Sequence, residues 1–329
     1  MSGLRWGILG PGGIARAFAR DARLAGLDLA AVGSRRRHAA ETFAAEFEIA
    51  RVHGSYEALV DDPGVDIVYI ATPHPFHAEQ AILALEHGKH VLVEKPFTLT
   101  AAEAIAVRDT ARRQGLLAME AMWTRYLPHM VSLRERLADG AIGDVRALVA
   151  DHLQPLPADP AHRINALELG GGALLDLAIY PISLSWDVLG APRTIAASAT
   201  LGETGADTEV ATIFGYESGA IATTLSGSRA AGPNAASVVG TDARIEIEGV
   251  WYTASSFRVI ERDGTVRETV APPVDGRGMQ YQALAAERYV TAGATDSDVL
   301  PLDEVVEIMR ALDTIRDIIG VRYPSESQA

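Results

Sequence analysis

Three groups of residues have types and spacings that suit chemistry: a glycine turn, a lysine after an apolar run, and a carboxylate four residues before a phenol. Gly10-Pro11-Gly12-Gly13-Ile14-Ala15 fits G-x-G-x-x-A, between an apolar run and a helical pattern. There Gly10 permits a tight turn, Gly12 lets the backbone approach a pyrophosphate, and Ala15 allows close helix–strand packing. The helix start at Gly13 and Ile14 offers free N–H groups and partial positive charge to phosphates. The next apolar run ends Val32-Gly33-Ser34-Arg35-Arg36-Arg37. It lacks the carboxylate that NAD-specific turns place on the ribose 2′-hydroxyl. Ser34 and Arg35 suit a 2′-phosphate instead. The expected cofactor is therefore NADP, with NAD as the alternative.

Glu94-Lys95-Pro96 closes the apolar run His90–Glu94. That is the carboxyl end of a strand, where open α/β sheets bind ligands. A cis X-Pro bond there would aim Lys95 inward; the other reading is a solvated lysine. Thr72-Pro73-His74-Pro75-Phe76-His77 follows another strand at the same end. Thr72, Glu94 and either His74 or His77 are candidate cofactor contacts, a packed or helix-capping histidine being the other reading. Asp176 and Tyr180 lie on one helix face within the apolar run ALLDLAIYPI. Buried polar groups need partners, so the two form either a satisfied pair or an acid/base site with Lys95. A nearby ammonium favours phenolate and lowers a tyrosine pKa from about 10, towards the range of a general base. Trp123 and Arg125 stand at the expected domain junction, as pocket wall or as packing. Residues 151–168 are expected to line the same pocket, with Arg163 a possible substrate contact. The nine histidines show no ligand-like spacing, so no metal site is expected.

These groups need a scaffold. Apolar runs at Arg5–Leu9, Leu29–Gly33, Ile67–Ala71, His90–Glu94 and Leu116–Glu120 alternate with amphipathic stretches at Ile14–Ala25, Ala39–Phe47, His77–His87 and Ala101–Gln114. Near-continuous apolar strands between helices imply a parallel sheet covered on both faces. Residues 193–271 instead alternate apolar and polar, as in Ile245-Glu246-Ile247-Glu248, with turns at Glu217-Ser218-Gly219 and Asp263-Gly264. That pattern predicts an antiparallel sheet with one wet face. Helical segments are expected at Gly172–Leu189, Met279–Ala292 and Leu302–Ile319, and a frayed tail at Ser325–Ala329. The predicted fold is α/β: a doubly wound dinucleotide-binding domain over residues 1–122, then an α+β domain over 123–329 with an open, mostly antiparallel sheet. The expected active site lies where the two domains meet.

Composition narrows the class. The chain has 329 residues, 48% of them hydrophobic and 22% charged, as in ordinary soluble proteins. Its longest apolar runs, such as VDIVYIA, look too short to span a bilayer, and no secretory signal is evident. The absence of cysteine excludes disulfides and thiol catalysis and suits the cytoplasm. A net charge of −14 argues against general nucleic-acid binding.

GPGGIA, TPHPFH, EKP and GGGALLDLAIY occur in an order and spacing that resemble the Gfo/Idh/MocA oxidoreductases over essentially the whole chain. The resemblance implies a Rossmann domain, a C-terminal domain with an open sheet, and homodimers or homotetramers formed through that sheet. It places Lys95 and Asp176 on the family's active-site positions. Many members carry histidine where this chain has Tyr180. Tyrosine there, with the segment MEAMWTRYLP, is similar to the branch of dimeric dihydrodiol dehydrogenases and NADP-dependent D-xylose 1-dehydrogenases. That branch implies a tyrosine acid/base with a lysine partner, acting on an aldopyranose at C1 or on a trans-dihydrodiol. Another substrate (an inositol, a sugar at C3, an imine) and an NADP sensor without turnover are the alternatives.

Overall fold

A computed structural model describes residues 3–324; the tail reading for Ser325–Ala329 lies outside them. The first part runs β1 (Arg5–Leu9), α1 (Gly13–Leu24), β2 (Asp28–Gly33), α2 (Arg37–Glu46), β3 (Arg51–His53), α3 (Tyr56–Val60), β4 (Ile67–Ile70), α4 (His77–Glu86), β5 (His90–Glu94), α5 (Ala101–Gln114) and β6 (Ala118–Ala121). The six strands are parallel, in the order β3-β2-β1-β4-β5-β6. The order reverses between β1 and β4, which is where such sheets open a ligand crevice. Trp6, Ile8, Leu9, Phe18 and Tyr69 are fully buried, and Phe18 stacks on Tyr69 at 3.9 Å. Each such side chain contributes about 1.5–3 kcal/mol by leaving water.

The short β3 and α3 are absent from the sequence reading, since a three-residue strand carries no readable period. Helix ends behave as capping rules require. Thr100 and Glu103 form a reciprocal capping box at the start of α5, and Gly115 ends that helix in the left-handed region.

The second part contains α6 (Pro128–Ala138), β7 (Val145–Leu153), α7 (Ile179–Leu189), β8 (Thr194–Leu201), β9 (Asp207–Gly215), β10 (Ile221–Gly227), β11 (Ala236–Gly240), β12 (Ala243–Ile247), β13 (Phe257–Glu261) and β14 (Val266–Val270), followed by α8 (Gln280–Thr291) and α9 (Leu302–Ile319). Eight strands form one sheet, β14-β13-β12-β11-β7-β10-β9-β8. All neighbours are antiparallel except β7 and β10. Both expected turns are present, with Gly219 and Gly264 at positive φ. β7 was not expected as a strand, because its pairing with β10 is long-range and leaves no local turn signal.

Compact units do not follow the consecutive segments 1–122 and 123–329. One unit comprises Met1–Tyr126 with Asp275–Met309, the other Leu127–Val274 with Arg310–Ala329. The return of residues 275–309 has a clear cause. Buried Asp21 on α1 accepts hydrogen bonds from the backbone N–H groups of Arg277 and Met279, just ahead of α8. Trp6 donates to Glu287, and Arg125 donates to the Val299 carbonyl and forms an ion pair with Glu304.

Leu167–Leu189 corrects the expectation that every apolar run is too short for a bilayer. It spans 23 residues, and 83% of its most apolar 18-residue window is buried. Its α7 portion packs on the sheet at β7 and β10, the setting of a core helix.

Candidate active site

The glycine turn follows β1 at the switch point. Gly10 has φ +89°, and a Cβ there would sit 2.8 Å from Thr72 Cγ2 after β4. Glycine alone fits both constraints. Gly12 precedes α1 without a side-chain cap, and no acidic residue occupies the first turn. Gly12 and Gly13 are exposed, Gly10 and Ile14 half-buried. Open N–H groups at an uncapped helix start suit an anionic pyrophosphate. The groove beside them is lined by Gly10, Pro11, Gly12, Ser34, Arg35, Arg36, Ala71, Thr72 and Pro73.

Ser34 is buried after β2, and its hydroxyl accepts from Arg36 N–H. Arg35 is exposed, its guanidinium 5.4 Å from the Phe76 ring. Among the described residues no carboxylate pairs with it, whereas the neighbouring Arg37 is paired with Glu41. In a chain of net charge −14, an arginine without a carboxylate partner beside this groove is fitted to an anion. These residues suit a phosphorylated dinucleotide.

Lys95 is half-buried at the end of β5, and the Lys95–Pro96 bond is cis. The surrounding residues differ from the sequence reading. His77 is fully buried, and both ring nitrogens lie on backbone carbonyls, Nδ1 2.9 Å from Pro96 and Nε2 2.8 Å from Thr72. It ties two loops together and has no face left for a cofactor; burial also holds its pKa below the ordinary range. Glu94 is buried as well, accepting from Tyr69 O–H and from Lys95 N–H. Burial pushes its carboxyl up to about 7. His74 is buried with its ring edge-on to His77 at 5.7 Å. Thr72 is half-buried and donates its hydroxyl to Gln80.

Trp123 and Arg125, expected as pocket wall, form a buried 3-10 turn at 123–126. Arg277 lies over the Trp123 ring at 5.1 Å. Arg125 is consumed by Val299 and Glu304, at 3.2 and 2.7 Å. Both pack against the returning segment, the alternative left open above.

In the other unit, Leu174–Ala178 form a π turn that runs into α7. Such turns recur at functional sites. Buried Asp207 on β9 caps the turn, its carboxylate accepting from Leu174 N–H at 2.6 Å. Gly172 has φ +131°, and a Cβ there would fall 2.1 Å from Asp207 Oδ1. Asp176 and Tyr180 are both buried on this helix. Asp176 accepts from Arg163 at 3.0 Å, so residues 151–168 do reach the pair. Arg163 itself is largely exposed.

Of three residues around Tyr180, His152 and Gln154 fall within 151–168, the segment expected to line the pocket, though neither is singled out by type, and Tyr252 lies outside every expected site segment. The Tyr180 ring is edge-on to His152 at 5.1 Å and tilted against Tyr252 at 5.3 Å, while His152 stacks on Tyr252 at 3.8 Å. His152 Nδ1 lies 3.0 Å from the Leu177 carbonyl, and Gln154 bonds both His152 and Tyr252. The signal was Pro181. Proline has no N–H for the carbonyl four residues back, and the Leu177 carbonyl is met both by a backbone N–H at the end of the π turn and by His152.

Comparison with known proteins identifies the family to which both parts of the chain are similar. Residues 4–122 match the description "Oxidoreductase family, NAD-binding Rossmann fold" and residues 130–246 match "GFO/IDH/MocA C-terminal domain". A trans-1,2-dihydrobenzene-1,2-diol dehydrogenase from Mus musculus is 36% identical, covering 99% of both chains. A D-xylose 1-dehydrogenase (NADP(+)) from Hypocrea jecorina is 34% identical, over 98% of this chain and 93% of that one. Among solved structures, a 3-ketoreductase from Actinomadura kijaniata in complex with NADP is similar at TM-score 0.84 and 26% identity, covering 96% of this chain and 98% of that one.

Proposed function

The chain belongs to the Gfo/Idh/MocA oxidoreductases, and from that premise we propose that it is an NADP-preferring dehydrogenase of a sugar-like cyclic alcohol. The substrate is an aldopyranose oxidised at C1 to the lactone, or a trans-dihydrodiol. The observation that carries this reading is Asp176 and Tyr180, buried together on a capped π-to-α helix in an otherwise apolar run. The names of the relatives supply the substrate class.

The start of α1 holds the pyrophosphate, and Ser34 with Arg35 holds a 2′-phosphate. Bound nicotinamide supplies the hydride acceptor. Tyr180 takes the proton from the substrate hydroxyl. Lys95 stabilises the phenolate and bonds a substrate hydroxyl. Asp176, oriented by Arg163, aligns a neighbouring hydroxyl. Glu94, His77 and Arg125 have no role in cofactor or substrate contact in this scheme.

The test is cofactor reduction with D-xylose, D-glucose, an inositol and a trans-dihydrodiol, each with NADP and with NAD. Turnover of an aldopyranose or the dihydrodiol with NADP is the expected result. Turnover confined to the inositol would overturn the substrate class. Tight NADP binding without turnover of any of the four would indicate a sensor.

The same reading extends to assembly. On the outer face of the large sheet, Ile213, Ile221, Leu225 and Val149 are each 45–54% exposed on three adjacent strands. The register sets Ile213 beside Thr223 and Thr223 beside Val149. A flat apolar patch in the middle of a sheet suits a second copy of the same face. Sedimentation should show a homodimer or homotetramer for the parent and a monomer for Ile213→Asp. An Ile213→Asp variant that keeps the parent's mass would remove this interface.

A further inference from the structure

Two buried carboxylates grip the turn that carries Lys95. The register pairs Val93 with Glu120 on parallel β5 and β6. Successive side chains of a strand alternate between faces, so Glu94 and Glu120 leave the sheet on opposite sides. Between them runs Lys95-Pro96-Phe97, which has only two N–H groups because proline has none. Lys95 N–H donates to Glu94 at 3.2 Å, and Phe97 N–H donates to Glu120 at 3.0 Å. The Pro96 carbonyl is met by His77 Nδ1 at 2.9 Å. Every backbone donor of the turn is thus held by a carboxylate. Glu120 is 2% exposed, a costly place for an acid without a task.

We infer that Glu120 is a positioning residue for Lys95, acting through the Phe97 amide. This rests on the reading of Lys95 as a participant in turnover. The role is one of reach, since a displacement of about 1 Å at a reacting group costs up to about a hundredfold. Two conservative variants separate reach from charge. E120D keeps the charge and withdraws the oxygen by one methylene. E120Q keeps the oxygen in place and removes the charge.

With the best substrate of the panel, E120D should lose about tenfold or more in kcat. E120Q should stay within about threefold of the parent, and both should bind NADPH with near-parental affinity. Amide hydrogen exchange supplies a readout that needs no substrate. At Phe97 it should accelerate about tenfold in E120D and little in E120Q. In a K95M background, E120D should change kcat by less than about twofold, because its effect passes through Lys95. Arg125 also acts on Glu120 through charge, so the reverse order, with E120Q impaired and E120D intact, would overturn the inference in favour of that charge balance. Equal losses with and without Lys95 would also overturn it, as would unchanged exchange at Phe97 in E120D. Parental turnover of K95M itself would instead sink the reading of Lys95, a distinct result.

Discussion

Tyr180→Phe is expected to lower kcat by at least about a hundredfold, the usual scale of a positioned general base. The substitution removes one oxygen and nothing else. The ring keeps its contacts with His152 and Tyr252, and the Pro181 break, the Asp207 cap and the Arg163–Asp176 pair are untouched. Cofactor affinity should therefore hold while turnover falls, and Tm should change little. Kinetics read this directly. An interaction made only in the transition state lowers kcat and kcat/KM together. A rise in KM with kcat preserved would make Tyr180 a binding residue, and near-parental turnover would remove it from the mechanism.

Arg35→Asp carries the second large effect, on cofactor choice. A charge-assisted hydrogen bond contributes about 1.5–3 kcal/mol, and each 1.4 kcal/mol is about tenfold. Reversing the charge adds repulsion from a phosphate in a chain that is already acidic. NADPH should bind about 10–100-fold more weakly, while NADH, which lacks the 2′-phosphate, should be much less affected. Fluorescence titration of both cofactors tests this. Equal losses would mean that Arg35 supports the loop and does not read the phosphate. Its position over Phe76 and the absence of a carboxylate partner among the described residues are what favour the selective outcome.

Much of the candidate site is legible from residue types. Gly10 and Gly172 stand where the backbone admits no Cβ. Asp176 and Tyr180 were conspicuous because an apolar helix has no use for an acid and a phenol without partners. Packing is the alternative left open for His77, Trp123 and Arg125, and the structure places their polar groups or faces, like those of Glu94, against Pro96, Arg277, Glu304 and Tyr69. A motif marks where a side chain stands along the chain, not which group meets it first. Glu120 was overlooked because it sits inside an apparently ordinary buried strand.

By itself the sequence determined most of the strands and helices of both sheets, β3, α3 and β7 excepted, together with the glycine turn and the lysine at a strand end. These follow from backbone sterics and from the period of apolar residues, which act within a few positions. Only the tertiary structure decided which carboxylates grip the lysine turn, which histidine supports the tyrosine helix, and where residues 275–309 pack. Those outcomes depend on hydrogen bonds such as Asp21 to Arg277, 256 residues apart. Burial makes such bonds obligatory, but no local pattern names the partner.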